Sequence, residues 1–79
     1  MRVVFFGAAA DRAGVREEDL PVGPGATLAD LWAELSGRHP DLAPLRSTLA
    51  FAVNDEYAGE EAPVRAGDEV AVLPPVSGG

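Results

Sequence analysis

The sequence predicts an α+β roll, a mixed sheet with one main helix packed across it. Three observations carry that reading. Leu28, Leu31, Trp32 and Leu35 fall at helical spacing on one face. Runs of strand length and character lie near both ends of the chain, at residues 2–6 and 69–73. A third such run lies between them, at 49–53. The 79 residues suffice for one domain with a modest core.

Each element has a local cause. Residues 2–6 are β-branched and aromatic after the first arginine. Gly7 and Gly14 bracket an alanine-rich stretch that fits one or two helical turns. Residues 16–20 form a weak, heavily charged strand suited to a sheet edge. Pro21, Gly23, Pro24 and Gly25 then force a loop. The helix is expected over 27–36. Thr27 is a good N-cap, and Asp30 at the third helical position is an acidic variant of the capping box. Asp30 also complements the positive end of the helix dipole. Gly37 is expected to stop the helix.

Residues 39–47 hold two prolines and read as a connection with a short turn, His39 being a surface loop residue. Residues 49–53 form a strand, Asn54-Asp55-Glu56 a turn, and Tyr57 starts a short return. A loop over 63–68 ends in a tight turn before the last strand at 69–73. The long crossover through the helix suits first and last strands that lie side by side and parallel. This order is a roll of the β-grasp kind over residues 1–73, followed by a flexible tail at 74–79.

Composition narrows the function. Thirteen acidic residues against six basic ones, all arginine, give a net charge of −7. That charge repels phosphate backbones, excludes nucleic acid as a partner, and favours basic partners. No apolar run approaches the ~20 residues that cross a bilayer. The first six residues are too short an apolar stretch for a signal peptide. The expected compartment is the cytoplasm, with no membrane partner. Cysteine is absent, so no disulfide, thiolate site or thiol nucleophile is available. One histidine does not build a metal site, so no metal is expected. Lysine is absent too, so the chain offers no side-chain amine to an activated carboxyl group.

Strand alternation places Val3, Phe5, Phe51, Val53, Val70 and Val72 on one sheet face, against Leu31, Trp32 and Leu35. The opposite face then carries Val4, Phe6, Ala50, Ala52, Ala71 and Leu73. A two-layer fold should show polar residues there, and alanine is a poor strand former. Two arrangements satisfy the pattern. A partner docks on this face, with Phe6, Leu73 and Tyr57 as anchors, or a loop of the chain folds over it.

The tail leaves from the rim of that face. Pro74-Pro75-Val76-Ser77 leads to Gly78-Gly79. Proline fixes φ near about −65° and stiffens the root. Glycine has no Cβ, so its carboxylate threads where a bulkier end does not fit. The reach from Pro74 to Gly79 is at most roughly 20 Å. Glycine-rich ends also occur as plain flexible termini.

Val3-Val4-Phe5-Phe6, Ala52-Val53-Asn54, Ala66-Gly67-Asp68-Glu69-Val70-Ala71 and Leu73-Pro74-Pro75-Val76-Ser77-Gly78-Gly79 together resemble the small, sulfur-carrier subunits of molybdopterin synthase. The resemblance implies a ubiquitin-like β-grasp fold and a thiocarboxylate on Gly79, with Gly78 threading a narrow channel in the large subunit. It implies Phe6, Tyr57, Leu73, Pro74, Pro75, Val76 and Ser77 as partner-binding residues. The family often carries a basic-acidic pair after the Phe-Phe pair, where this chain has Ala10, Asp11 and Arg12. An E1-like, ATP-using enzyme is implied as activator, no bound cofactor is implied, and catalytic side chains are expected in the large subunit. Sulfur carriers of other pathways (thiamine, cysteine or tRNA thiolation) and ubiquitin-like protein modifiers share the Gly-Gly end.

Overall fold

The computed structural model describes residues 1–74. Its sheet is assembled around the last strand. In chain order the elements are β1 (Arg2–Phe5), α1 (Ala8–Ala13), β2 (Glu17–Asp19), α2 (Leu28–Arg38), a 3-10 helix (Pro40–Thr48), β3 (Ala50–Val53), β4 (Glu56–Ala58) and β5 (Glu69–Leu73). The five strands lie in the order β2-β1-β5-β3-β4. β1 and β5 are parallel, pairing Arg2 with Glu69 through Phe5 with Val72. β3 runs antiparallel to β5 on its other side, from Ala50–Leu73 to Val53–Val70. The two short strands, β2 and β4, form the edges, as their charge and length suggest.

Helix α2 starts as the sequence predicts. The Thr27 hydroxyl accepts from the Asp30 N–H at 3.4 Å, and the Asp30 carboxylate accepts from the Thr27 N–H at 2.9 Å. The next two N–H groups, which no helical carbonyl can reach, are taken by the loop before β5. Leu28 donates to Ala62 at 3.0 Å and Ala29 to Glu60 at 2.9 Å. The helix therefore anchors that loop as well as the core. Leu28, Leu31 and Leu35 are buried against Val3, Phe5, Phe51, Val70 and Val72. Alternation thus assigns the inner face correctly.

The helix end differs from the expectation. Gly37 lies inside α2, which runs on to Arg38 and is capped by His39. The stop comes from Pro40, whose ring disfavours helical backbone in the preceding residue. Residues 39–47 are also more regular than a connection. Pro40–Thr48 form a 3-10 helix, with Leu42 buried in the core. His39 is not a free loop residue. Its ring stands edge-on to Phe5 and reaches Glu18 at 2.9 Å.

Trp32 is half-buried rather than central. It packs at an angle on Phe51, and the Arg46 guanidinium lies over both rings at 5.6 and 5.0 Å while pairing with Glu60. Trp32→Ala is therefore expected to destabilise by about 2–3 kcal/mol, below the ~3–5 kcal/mol of a fully buried aromatic. A urea-unfolding midpoint that does not move would place this indole outside the packed core.

Candidate functional site

The helices leave the other sheet face open. Paired residues on neighbouring strands point to the same side, so the register lays out this face in rows. One row is Glu17, Val4, Ala71, Ala52 and Tyr57, crossing all five strands. A second joins Leu73 to Ala50, with Phe6 next along β1 and its N–H on the Val72 carbonyl at 3.1 Å. A third is charged. Arg2 pairs in register with Asp19 and Glu69, and its guanidinium meets Glu17 at 2.7 Å and Glu69 at 3.6 Å. The face therefore grades from apolar, at the end where β5 finishes, to acidic at the other.

Among the described residues, exposure favours the first of the two arrangements left open by the sequence. Phe6 is 46% and Tyr57 73% exposed, and Val4, Ala50, Ala71 and Leu73 are partly exposed. No described segment folds over them. Ala52 alone is buried, its small side chain held between those of Ala71 and Tyr57. Nonpolar side chains left uncovered on a central sheet face make it the candidate docking surface.

The candidate residues do not all meet. Phe6, Leu73 and Pro74 gather at the apolar end. Tyr57 lies on the same face but on the far edge strand, with β5 and β3 between it and β1. Pro75, Val76, Ser77, Gly78 and Gly79 lie outside the described residues. Sequence reasoning missed Gly7. It sits at φ 53° and ψ −129°, and a Cβ built on it would come 3.0 Å from Cγ of Pro74. It also missed the Arg2–Glu17–Glu69 cluster, although counting alternate residues back from Val4 and Ala71 would have found two of its members. Among the described residues no group of His, Asp or Glu is placed to hold a metal ion, and no helix is long and apolar enough to cross a membrane.

The Asn54 and Gly67-Asp68-Glu69 motifs serve the frame of this face. Asn54 and Asp55 both have positive φ, 49° and 72°, which makes the tight two-residue turn between β3 and β4. The Asn54 amide donates to Asp68 at 3.0 Å and its carbonyl accepts from the Glu69 N–H at 3.0 Å. The Arg65 N–H donates to the other Asp68 oxygen at 2.9 Å. These bonds, the Asn54 amide first, hold the Asp68 carboxyl below the ordinary value of 3.8. A depressed carboxylate stabilises the fold above its unfolded pKa, and that contribution is lost as pH falls through the lower folded value. The loss should begin near pH 3.8 and continue below it. Melting temperatures from neutral to acid pH should fall more steeply in this window for the native chain than for Asp68→Ala. Parallel curves would remove Asp68 from the acid response.

The ThiS family model matches residues 3–79. The human molybdopterin synthase sulfur carrier subunit is 42% identical over 82 residues, covering 100% of this chain and 93% of that protein. The crystal structure of SAMP1, the small archaeal modifier protein 1 of Haloferax volcanii, superposes with a TM-score of 0.86 at 33% identity, covering 99% and 97% of the two chains. A chain in the complex of subunits 1 and 2 of molybdopterin-converting factor from Helicobacter pylori gives 0.72 at 28% identity, covering 99% and 96%.

Proposed function

The chain belongs to the ThiS family, and from that premise we propose that it is the sulfur-carrier subunit of a molybdopterin synthase. One observation carries the reading furthest. The apolar end of the open sheet face and the strand that leads into the tail are one surface, at Phe6, Leu73 and Pro74. A partner that covers this face receives the tail in the same encounter. The charge gradient from Phe6 to Glu69 suits a partner with an apolar floor and a basic rim. That partner is the large subunit of the synthase, in line with the two-subunit complex of the Helicobacter pylori relative.

The chemistry falls on Gly79. A terminal carboxylate has a pKa of about 3.3–3.7, is ionised at neutral pH and is a poor electrophile. An E1-like enzyme adenylates it with ATP, giving an acyl-phosphate anhydride. A sulfur donor displaces AMP and leaves a thiocarboxylate. Inside the large subunit the sulfur passes to a cyclic pterin phosphate, and two such transfers build a dithiolene. The carrier is a delivered reagent, Gly78 and the Pro75-Val76-Ser77 stretch form its arm, and the large subunit holds the catalytic side chains. Incubation with ATP, a sulfur source and the activating enzyme should raise the intact mass by about 16 Da, one oxygen exchanged for sulfur. An unchanged mass under conditions that load a known carrier would refute the proposal.

The likeness to the small archaeal modifier protein favours a second reading, attachment of the carboxyl end to amines of other proteins. Covalent adducts in place of the thiocarboxylate would select it.

A further inference from the structure

We infer that Gly7 is a positioning residue for the tail, aiming it through direct contact with Pro74. The inference rests on the carrier reading above. Strand β5 is held on both sides up to its last residues, by β1 through Phe5–Val72 and by β3 through Ala50–Leu73. One further bond, from the Phe6 N–H to the Val72 carbonyl at 3.1 Å, closes the β1 side. Pro74 is the first residue beyond this clamp. It has no N–H, so it cannot extend the ladder. Its fixed φ sets the local bend, and what its ring meets helps decide where that bend points.

The ring lies where a side chain on Gly7 would go. A Cβ placed on Gly7 would lie 3.0, 3.6 and 3.8 Å from Cγ, Cβ and Cδ of Pro74, so the whole ring faces the bare Cα. The conformation at Gly7, φ 53° and ψ −129°, is open to glycine and strained for any L side chain. The turn is fixed on both flanks. Phe6 is tied to β5, and the next turn starts α1, with the Ala9 N–H on the Phe6 carbonyl at 3.0 Å and the Asp11 N–H on the Gly7 carbonyl at 3.2 Å. Gly7 therefore cannot retreat from a larger neighbour without dragging β1 or α1. By contrast, Gly14 and Gly25, also at positive φ, have open space where a Cβ would go. Their glycines answer only to backbone shape. Gly7 answers to Pro74 as well.

Adding a methyl at Gly7 must push the Pro74 ring by some tenths of an ångström, at the residue from which the arm starts. A misplacement of about 1 Å at a reacting group can cost 10²-fold in rate. The contact is thus placed to control delivery, with little part in holding the sheet together.

The test is a double-mutant cycle on the thiocarboxylated carrier. Native chain, Gly7→Ala, Pro74→Ala and the double variant are compared for single-turnover sulfur transfer at saturating large subunit, which removes affinity from the rate. Gly7→Ala should slow transfer by about tenfold or more on the native background. On the Pro74→Ala background the same substitution should change the rate by no more than about twofold. A cross-peak between the Gly7 Hα and Pro74 Hγ protons in the nuclear Overhauser spectrum checks the contact without any sulfur chemistry. An equal fall on both backgrounds overturns the inference, because backbone strain at Gly7 would then act without Pro74. So does a Gly7→Ala chain that melts earlier but transfers at the native rate, or a native chain without the cross-peak. A native chain with the cross-peak that takes up no sulfur overturns the carrier reading itself, and the inference with it.

Discussion

A chain lacking Gly79 is expected to fold like the full chain, bind the large subunit, and deliver no sulfur. Among the described residues the buried core runs from Val3 to Val72, and the last strand ends at Leu73. Stability should change by less than about 0.5 kcal/mol, as for changes away from packed or capped positions. Transfer should fall below detection, because the carboxyl group that accepts sulfur would sit one residue short. One extended residue spans about 3.3–3.6 Å, far more than the misplacement a reacting group tolerates. A residue appended after Gly79 should fail for the same reason in the opposite direction. Gly78→Val should slow delivery by restricting the backbone and widening the arm. Intact mass after activation and a pterin-sulfuration assay separate loading from delivery. Sulfur delivered at the native rate by the shortened chain would end the case for a sulfur carrier.

Much of the frame that supports this arm was legible in the sequence. Thr27 and Asp30 cap α2 because the two groups satisfy each other within four residues, and such local bonds need no tertiary context. Alternation in β1, β3 and β5 found both faces of the sheet, because a one-residue slip would have exposed Val3, Val70 and Val72 together. The failures have physical causes as well. Glycine often ends helices, but a glycine inside one costs only about 1 kcal/mol, so α2 runs through Gly37 and Pro40 supplies the stronger stop. The 3-10 helix was missed because Pro40 and Pro44 suggest irregular chain, whereas burial of Leu42 holds that segment in regular form. Spacing gives the direction of the Trp32 side chain, which packs on the core, but not its depth, which is half-buried. The Gly7–Pro74 contact joins residues far apart in sequence, and nothing local announces it. It appears only when parallel pairing of β1 and β5 brings the two ends together.

The same pairing makes Phe6 the residue on which docking should depend most. It is the largest exposed apolar side chain at the end of the face where the tail begins, and the core of the fold does not require it. Phe6→Asp places a carboxylate where a partner's apolar surface must close. Burying an unpaired carboxylate costs several kcal/mol, or forces it to take up a proton. At about 1.4 kcal/mol per tenfold change, affinity for the large subunit should fall by roughly 10²–10³. Leu73→Asp should weaken binding comparably, with some loss of stability, because Leu73 is partly buried and pairs with Ala50 in the sheet. Tyr57→Ala tests how far the interface reaches across the face. Tyr57 is well exposed, but it stands on edge strand β4, with β5 and β3 between it and β1, so a smaller fall is expected. Ala33→Asp is the control, since Ala33 is exposed on α2, on the other layer. Titration calorimetry with circular dichroism of each variant reads both quantities. Native affinity in a correctly folded Phe6→Asp chain, or an equal loss in Ala33→Asp, would move the partner off the open sheet face.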